Sequence, residues 1–285
     1  MLVIGGSSFV GKNIYSLSTS KNIFTYTNNK INEKFIKFDL KDLSTWDNIL
    51  KYEEQNVLIL AGITNPIDCY TDIELSNKVN VHFLKEFINE LFLKNKKIIF
   101  ASTEYVFDGN YGNYDEFSKE NPILTYGIQK KLIEDHIKLF NKDHLILRFP
   151  KIISRNVNQN SLISNWVYSL NNNHEIICTY DQIFSPIAVE DLIKVIDTTV
   201  NKGLNGTFHV SGPDKLSRIE YLNILLKYYN HYGNYKGKII KKSINDFGFK
   251  ERWPLNVSLN NKKIQDILDF KIFSFEENVR NYFDL

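Results

Sequence analysis

Leu2-Val3-Ile4-Gly5-Gly6-Ser7-Ser8-Phe9-Val10-Gly11 opens the chain, and its reading decides the fold. Three apolar residues run into two glycines and two serines, and a helical pattern starts behind them. A short apolar run bounded by Gly and Ser predicts a buried strand, and the residues after the turn predict a helix. In that context a glycine-rich turn aims backbone N–H groups, and the positive end of the helix, at a diphosphate. The residues predicted to line such a site are Gly5, Ser7, Ser8, Phe9, Val10 and Gly11. Read as G-x-x-G-x-x-G, the segment carries Ser8 where the middle glycine would be. A side chain there must either leave room for phosphate oxygens or donate its hydroxyl to one. The alternative is a plain tight turn.

The same alternation continues. Apolar runs over residues 2–5, 23–27, 35–38, 57–61, 98–101 and 145–149 are separated by helical patterns. This predicts parallel strands joined by right-handed crossovers, a doubly wound α/β sheet. The second half is less regular, with helices predicted over 189–200, 219–229, 260–268 and 276–282 and a strand over 206–210. Residues 1–150 plus roughly 185–212 are expected to form a dinucleotide-binding domain, and roughly 151–184 and 213–285 a small mixed lobe for substrate. Residues 233–242 are the most linker-like stretch.

At 285 residues the chain can bury a sizeable core. With 43% apolar and 24% charged residues it is of ordinary globular composition. A net charge of +2 gives no drive towards nucleic acid or membrane, and no apolar run approaches spanning length. The first strand begins at Met1, leaving no room for a signal peptide. A cytoplasmic protein without nucleic-acid or membrane partners is expected. Cys69 and Cys178 have no metal-ligand spacing and read as buried or half-buried thiols, so no metal is expected.

Tyr126 and Lys130 stand four apart in Thr125-Tyr126-Gly127-Ile128-Gln129-Lys130, 23 residues after Thr103. On a helix they share a face. A free phenol has a pKa of about 10, and a nearby cation favours the phenolate and lowers it. A hydroxyl, a phenol and an ammonium behind a glycine turn therefore describe a proton donor beside a nicotinamide. Tyr26 with Lys30 and Tyr232 with Lys236 match the same spacing by chance, as expected of 16 tyrosines in a lysine-rich chain. Tyr26 closes a strand-like run and Tyr232 lies in a Gly/Asn loop; only Tyr126 opens a helix, after Asn121-Pro122. That helix carries two apolar stripes, Ile128, Leu132 and Leu139 against Ile133, Ile137 and Phe140. A sheet-flanking helix needs one. The second predicts burial under the smaller lobe or a homodimer through the helix over residues 126–140.

An acid about 20 residues past the first glycine would hold the ribose of NAD. The second strand ends instead in Thr25-Tyr26-Thr27-Asn28-Asn29-Lys30. Lys30, helped by Asn28, is predicted to meet a 2′-phosphate, which favours NADP, with NAD the alternative. In Phe38-Asp39-Leu40, Asp39 is predicted to face the adenine or else to start the next helix. Ala61, Gly62 and Thr64 put small residues where the cofactor backbone would pass.

Ser102-Thr103-Glu104-Tyr105-Val106-Phe107-Asp108-Gly109 is similar to S-T-D-Y-V-F-D-G of the dTDP-4-dehydrorhamnose reductase family, extended short-chain dehydrogenase/reductases with a Rossmann domain. Tyr126-Gly127-Ile128-Gln129-Lys130 resembles that family's Y-G-x-x-K, and Asn80 its fourth-helix asparagine. Leu147-Arg148, Asp181-Gln182, Ser185-Pro186, Asp191-Leu192, the run from Gly206 to Gly212 and that from Arg252 to Leu259 recur in its order. The resemblance implies Thr103, Tyr126 and Lys130 as a catalytic triad reducing the C4 ketone of a 4-keto-6-deoxy sugar nucleotide, for deoxysugar synthesis. It implies substrate contacts at Thr103, Glu104, Val106, Phe107 and Arg252. The chain departs at Ser8, at Glu104 in place of Asp, and at Phe149-Pro150-Lys151-Ile152-Ile153 in place of a T-S-W-V-Y-like run. The last segment helps shape the sugar pocket, so it bears on which sugar is taken. A sugar-nucleotide C4 epimerase with tightly bound NAD, and a non-catalytic NADP-binding regulatory subunit, are the competing readings.

Overall fold

The computed structural model describes residues 1–140 and 143–284; the side chain of Phe140 also lies outside the described residues. The chain divides into two units: Met1–Val106 with Leu124–Arg148 and Ile193–Phe208, and Phe107–Ile123 with Phe149–Leu192 and His209–Leu285.

In the first unit the apolar runs become β1 (Leu2–Ile4), β2 (Ile23–Tyr26), β3 (Phe35–Lys37), β4 (Asn56–Ile59), β5 (Lys97–Thr103) and β6 (His144–Phe149). With the strand Gly206–His209 they form, among the described residues, a seven-stranded sheet in the order Gly206–His209, β6, β5, β4, β1, β2, β3. β1 is parallel to both β2 and β4, β3 to β2, and β5 to β4. Alternate residues Leu2, Ile4, Val57, Ile59, Ile98, Phe100 and Ile146 enter one buried cluster with Phe87, Ile88, Leu91, Ile133 and Ile137. The intervening Val3, Leu58, Ile99, Leu145 and Leu147 are fully buried as well. Strands apolar on both faces are what a helix-covered parallel sheet needs. The winding reverses between β1 and β4, and ligands of such sheets bind beyond the carboxyl ends of the strands at that switch point.

The second unit is built from short pairings. Ile152–Ile153 is parallel to Ile187–Ala188, Leu216–Ser217 antiparallel to Ile183–Phe184, and Ile239–Lys242 parallel to Ile176–Thr179. Tyr221 is fully buried between the rings of Phe184 (5.1 Å) and Phe275 (4.7 Å), its hydroxyl donating to the Phe184 carbonyl at 2.8 Å. Residues 233–242 are thus not a linker. The last four, Ile239–Lys242, are a strand whose partner lies some sixty residues earlier, and the Tyr235 hydroxyl donates to the His174 carbonyl at 2.8 Å. The helix expected over 260–268 shortens to Lys262–Gln265, because the Gln265 side chain donates to the Phe270 carbonyl and accepts from Ile272 N–H, folding the chain back. A further helix, Leu162–Asn171, starts at a capping box made by Ser161 and Ser164, without the acidic residue that usually marks one in a sequence. Among the described residues no helix is long and apolar enough to cross a membrane, and no group of three or more His, Cys, Asp or Glu is placed to hold a metal ion.

Candidate active site

Gly5 follows β1 at φ +88°, and a Cβ there would lie 2.8 Å from Ala61 N. Glycine both adopts that backbone and leaves that space. A Cβ on Gly11 would lie 2.4 Å from the Gly6 carbonyl oxygen, so the helix Phe9–Leu17 begins pressed against the turn. The Ser8 hydroxyl has a role inside the turn. It accepts the Gly11 N–H at 3.1 Å and caps the helix. The first-turn amides of Phe9 and Val10 have no carbonyl one turn back to donate to. A cradle closed to any side chain at Gly5, ahead of first-turn amides, fits the diphosphate of a dinucleotide. Thr25, which sequence reasoning passed over, holds the turn: its hydroxyl accepts the Gly5 N–H at 2.9 Å and donates to the Val3 carbonyl at 3.3 Å.

Asn28 and Lys30 lie exposed beyond β2, and the Lys30 ammonium is ion-paired with Glu33. A second cation was missed. Lys37 ends β3 in register with Tyr26, lies 5.6 Å over its ring and donates to the Thr27 carbonyl. Its only signal is strand register, which local sequence does not display. The Asp39 carboxylate accepts Lys41 N–H at 2.9 Å and the Asp39 carbonyl accepts the Trp46 indole at 3.3 Å, while Asp42, not Asp39, caps the Leu43–Thr45 turn. Leu40 is buried in the cluster that holds Trp46.

Ala61, Gly62 and Thr64 follow β4. At Gly62 φ is +141° and a Cβ would lie 2.9 Å from Asn80 Oδ1. Asn80 sits in a π-helical turn, Lys78–Phe83, between the helices Ile73–Asn77 and Leu84–Leu93, a local widening that re-aims side chains. Its Oδ1 accepts Ile63 N–H at 2.8 Å, and its Nδ2 donates to the Ile63 carbonyl at 2.9 Å and to Gln129 Oε1 at 2.8 Å. Gln129 in turn donates to Ser76 Oγ at 2.8 Å and Asn77 Oδ1 at 3.0 Å. The loop after β4 is thereby clamped to the helix Thr125–Phe140. Gln129 was not a sequence candidate.

Thr103, Tyr126 and Lys130 come together as the sequence predicts, all buried. The Tyr126 phenol is hydrogen-bonded to the Thr103 hydroxyl. Lys130 Nζ donates to the Ala101 carbonyl at 2.8 Å and lies 4.6 Å over the Phe100 ring and 5.8 Å over that of Tyr126. The expected fall in the Tyr126 pKa is not found. Burial pushes it up, Cys69 and Glu104 add to this, and the Thr103 bond opposes them. A phenolate taken out of water loses more than these neighbours return. Lys130 is brought down to about 8 by burial, against Cys69 and Glu134. Near neutral pH the phenol keeps its proton beside a charged ammonium, an acid ready to give.

Glu104 is buried directly after Thr103. Val106 and Phe107 are fully buried too, and Phe107 stacks on Tyr114 at 4.2 Å with His209 edge-on at 5.6 Å. Arg252 is exposed in the second unit, next to Trp253, whose ring meets Phe249 at 5.2 Å. The chance matches stay apart from this chemistry: Tyr26 ends β2, and the Tyr232 hydroxyl donates to the Phe283 carbonyl. On the Thr125–Phe140 helix, Ile133 and Ile137 are buried, while Ile128, Leu132 and Leu139 are 45%, 40% and 78% exposed.

A doubly wound sheet with a glycine turn after β1, and a Thr–Tyr–Lys set where β5 meets the next helix, defines an extended short-chain dehydrogenase/reductase. The chain belongs to the family described as the RmlD substrate binding domain, whose model matches residues 1–285. It is similar to a hypothetical dTDP-4-dehydrorhamnose reductase from Sulfolobus tokodaii, 25% identical with a TM-score of 0.84 over 96% of this chain and 97% of that one. The dTDP-4-dehydrorhamnose reductase of Bacillus anthracis in complex with NADP shares the fold, with a TM-score of 0.81 at 22% identity over 99% and 98% of the two chains. A Methanocaldococcus jannaschii protein provisionally named a UDP-glucose 4-epimerase is 29% identical over 172 residues, 53% of this chain. The match spans about half, 55%, of that relative's length.

Proposed function

We propose that the protein is an NADPH-dependent reductase of the C4 ketone of a 4-keto-6-deoxy sugar nucleotide, of the dTDP-4-dehydrorhamnose reductase type, supplying a deoxysugar for glycan synthesis. The observation that carries this is the buried Thr103–Tyr126–Lys130 set. The first unit holds the dinucleotide and the second contributes to substrate binding. NADPH, when bound, supplies the hydride. The Phe9 and Val10 amides receive its diphosphate, Lys30 and Lys37 its 2′-phosphate, and Lys130 its nicotinamide ribose. Thr103 hydrogen-bonds the ketone oxygen, Tyr126 gives that oxygen its proton, and the Lys130 ammonium steadies the phenolate left behind. Glu104 and Arg252 are the further substrate candidates, Arg252 for the diphosphate, which a planar guanidinium matches. The NADP-bound B. anthracis relative supports the cofactor. NADPH oxidation assayed against dTDP-, UDP- and GDP-4-keto-6-deoxy sugars tests the proposal: oxidation with one is expected, and none across the panel sinks it.

The M. jannaschii relative favours a second reading, a C4 epimerase that keeps its NAD. The ultraviolet spectrum of the purified protein separates them, because stoichiometric bound nicotinamide belongs to the epimerase. A regulatory subunit would bind NADP and oxidise nothing.

A charge-assisted hydrogen bond contributes about 1.5–3 kcal/mol. Lys37→Ala, and to a smaller degree the Glu33-paired Lys30→Ala, are therefore expected to weaken NADPH by about tenfold or more, with NADH little changed. Equal loss for both cofactors removes the NADP assignment. The exposed Ile128, Leu132 and Leu139 support a homodimer through this helix. Sedimentation should show a dimer that Leu132→Asp converts to monomer; a monomeric parent protein at tens of micromolar contradicts it.

A further inference from the structure

Helix positions 126, 130 and 134 lie one turn apart along one stripe. Each meets β5 over three consecutive residues: Tyr126 the Thr103 hydroxyl, Lys130 the Ala101 carbonyl, and Glu134 the Ser102 hydroxyl, which donates to Glu134 Oε1 at 2.5 Å. Glu134 and Arg148 are fully buried. Arg148 on β6 grips the carboxylate with Nε on Oε1 at 3.0 Å and Nη2 on Oε2 at 2.7 Å, and Lys138 adds Nζ on Oε2 at 3.1 Å. We propose that Glu134, held by Arg148, is a positioning residue: it pins the residue before Thr103 to the helix of Tyr126 and Lys130, and presents to Lys130 a fixed negative charge.

The proposal rests on the reading of Thr103, Tyr126 and Lys130 as the reacting set. Stability alone is a weak reason for such a pair, because well-packed apolar residues of similar volume often serve as well. Apolar residues cannot accept the Ser102 hydroxyl or keep a buried ammonium charged. Burial would raise the Glu134 pKa, but Arg148, then Lys138 and Ser102, outweigh it and hold the group below the usual carboxylate range. It is therefore ionised wherever the protein works. The groups facing Lys130 are Cys69 from the helix Pro66–Thr71, Tyr126 and Glu134 from its own helix, and Phe100 and the Ala101 carbonyl from β5. Glu104, after β5, acts on Tyr126, and Arg148 is engaged with Glu134. Burial brings Lys130 to about 8 with Cys69 and Glu134 opposing. Without the Glu134 charge its pKa falls further, and the ammonium is lost at a lower pH.

The test pairs two variants. Glu134→Gln with Arg148→Met removes both buried charges and leaves an amide oxygen for Ser102. Ser102→Ala removes the pin and leaves the charges. For the double variant, the alkaline limb of kcat/KM for NADPH oxidation is expected to move measurably to the acid side. Nucleotide fluorescence should show NADPH binding weakening over the same range. Ser102→Ala is expected to lower kcat with the limb unmoved. A folded double variant with the parent's alkaline limb overturns the charge role, and a parent-like kcat in Ser102→Ala overturns the pin. Tyr126→Phe run alongside separates the layers. If it stays active, the reading of the reacting set has failed; if it is inactive while both other variants behave as parent, this inference alone has failed.

Discussion

Tyr126→Phe is expected to lower kcat by about 10²–10⁴-fold, the usual worth of a positioned general acid, while NADPH binding persists. The substitution removes one oxygen. The ring stays buried, with Tyr105 edge-on at 6.4 Å, and the Lys130 bond to the Ala101 carbonyl is untouched. Nothing in the glycine turn changes. Because burial raises the Tyr126 pKa, the parent phenol is protonated across the neutral range, and its loss should appear in kcat at every pH there. Steady-state kinetics with a 4-keto sugar nucleotide and fluorescence titration of NADPH check the two halves. A kcat near the parent's takes Tyr126 out of the chemistry.

Arg148→Met is expected to destabilise the protein by about 3–5 kcal/mol, because it leaves a buried carboxylate without its main partner. At about 2–4 °C per kcal/mol for a chain of this size, the melting temperature should fall by roughly 6–20 °C. The sign of the pH dependence follows from Glu134. In the parent its depressed pKa contributes stability present above the unfolded value and lost as pH falls through the folded one. In the variant burial raises that pKa, so stability is recovered as pH falls through it. The gap between parent and variant should be widest near neutrality and narrow in mild acid. Thermal melts at pH 5 and pH 7.5 measure it, and a gap that ignores pH contradicts the account.

Local chemistry was enough for part of the site. The Gly5 turn needs a residue free to take positive φ, and the Tyr126–Lys130 spacing is helical geometry written in sequence. The strands were legible because a parallel sheet buried on both faces demands unbroken apolar runs. Side-chain contacts were not legible, whether their partners are near in the chain or far along it. Ser8 caps its own helix, Leu40 packs among core residues and Phe107 stacks on Tyr114, contacts that hydropathy and spacing alone do not display. Lys37 reaches Tyr26 through strand register, and Ile239–Lys242 is a strand only because Ile176–Thr179 accepts it.

By itself the sequence determined the doubly wound architecture, the glycine turn after β1 and the Tyr126–Lys130 spacing on one helix face. These depend on backbone freedom, apolar periodicity and helical spacing, all short-range properties. Only the tertiary structure decided how the Tyr126 proton is held. Burying Tyr126 overrode the neighbouring cation that sequence spacing invoked, and burying Glu134 against Arg148 placed a charge one turn beyond Lys130. Desolvation is set by everything that surrounds a group, and no local stretch of chain records it.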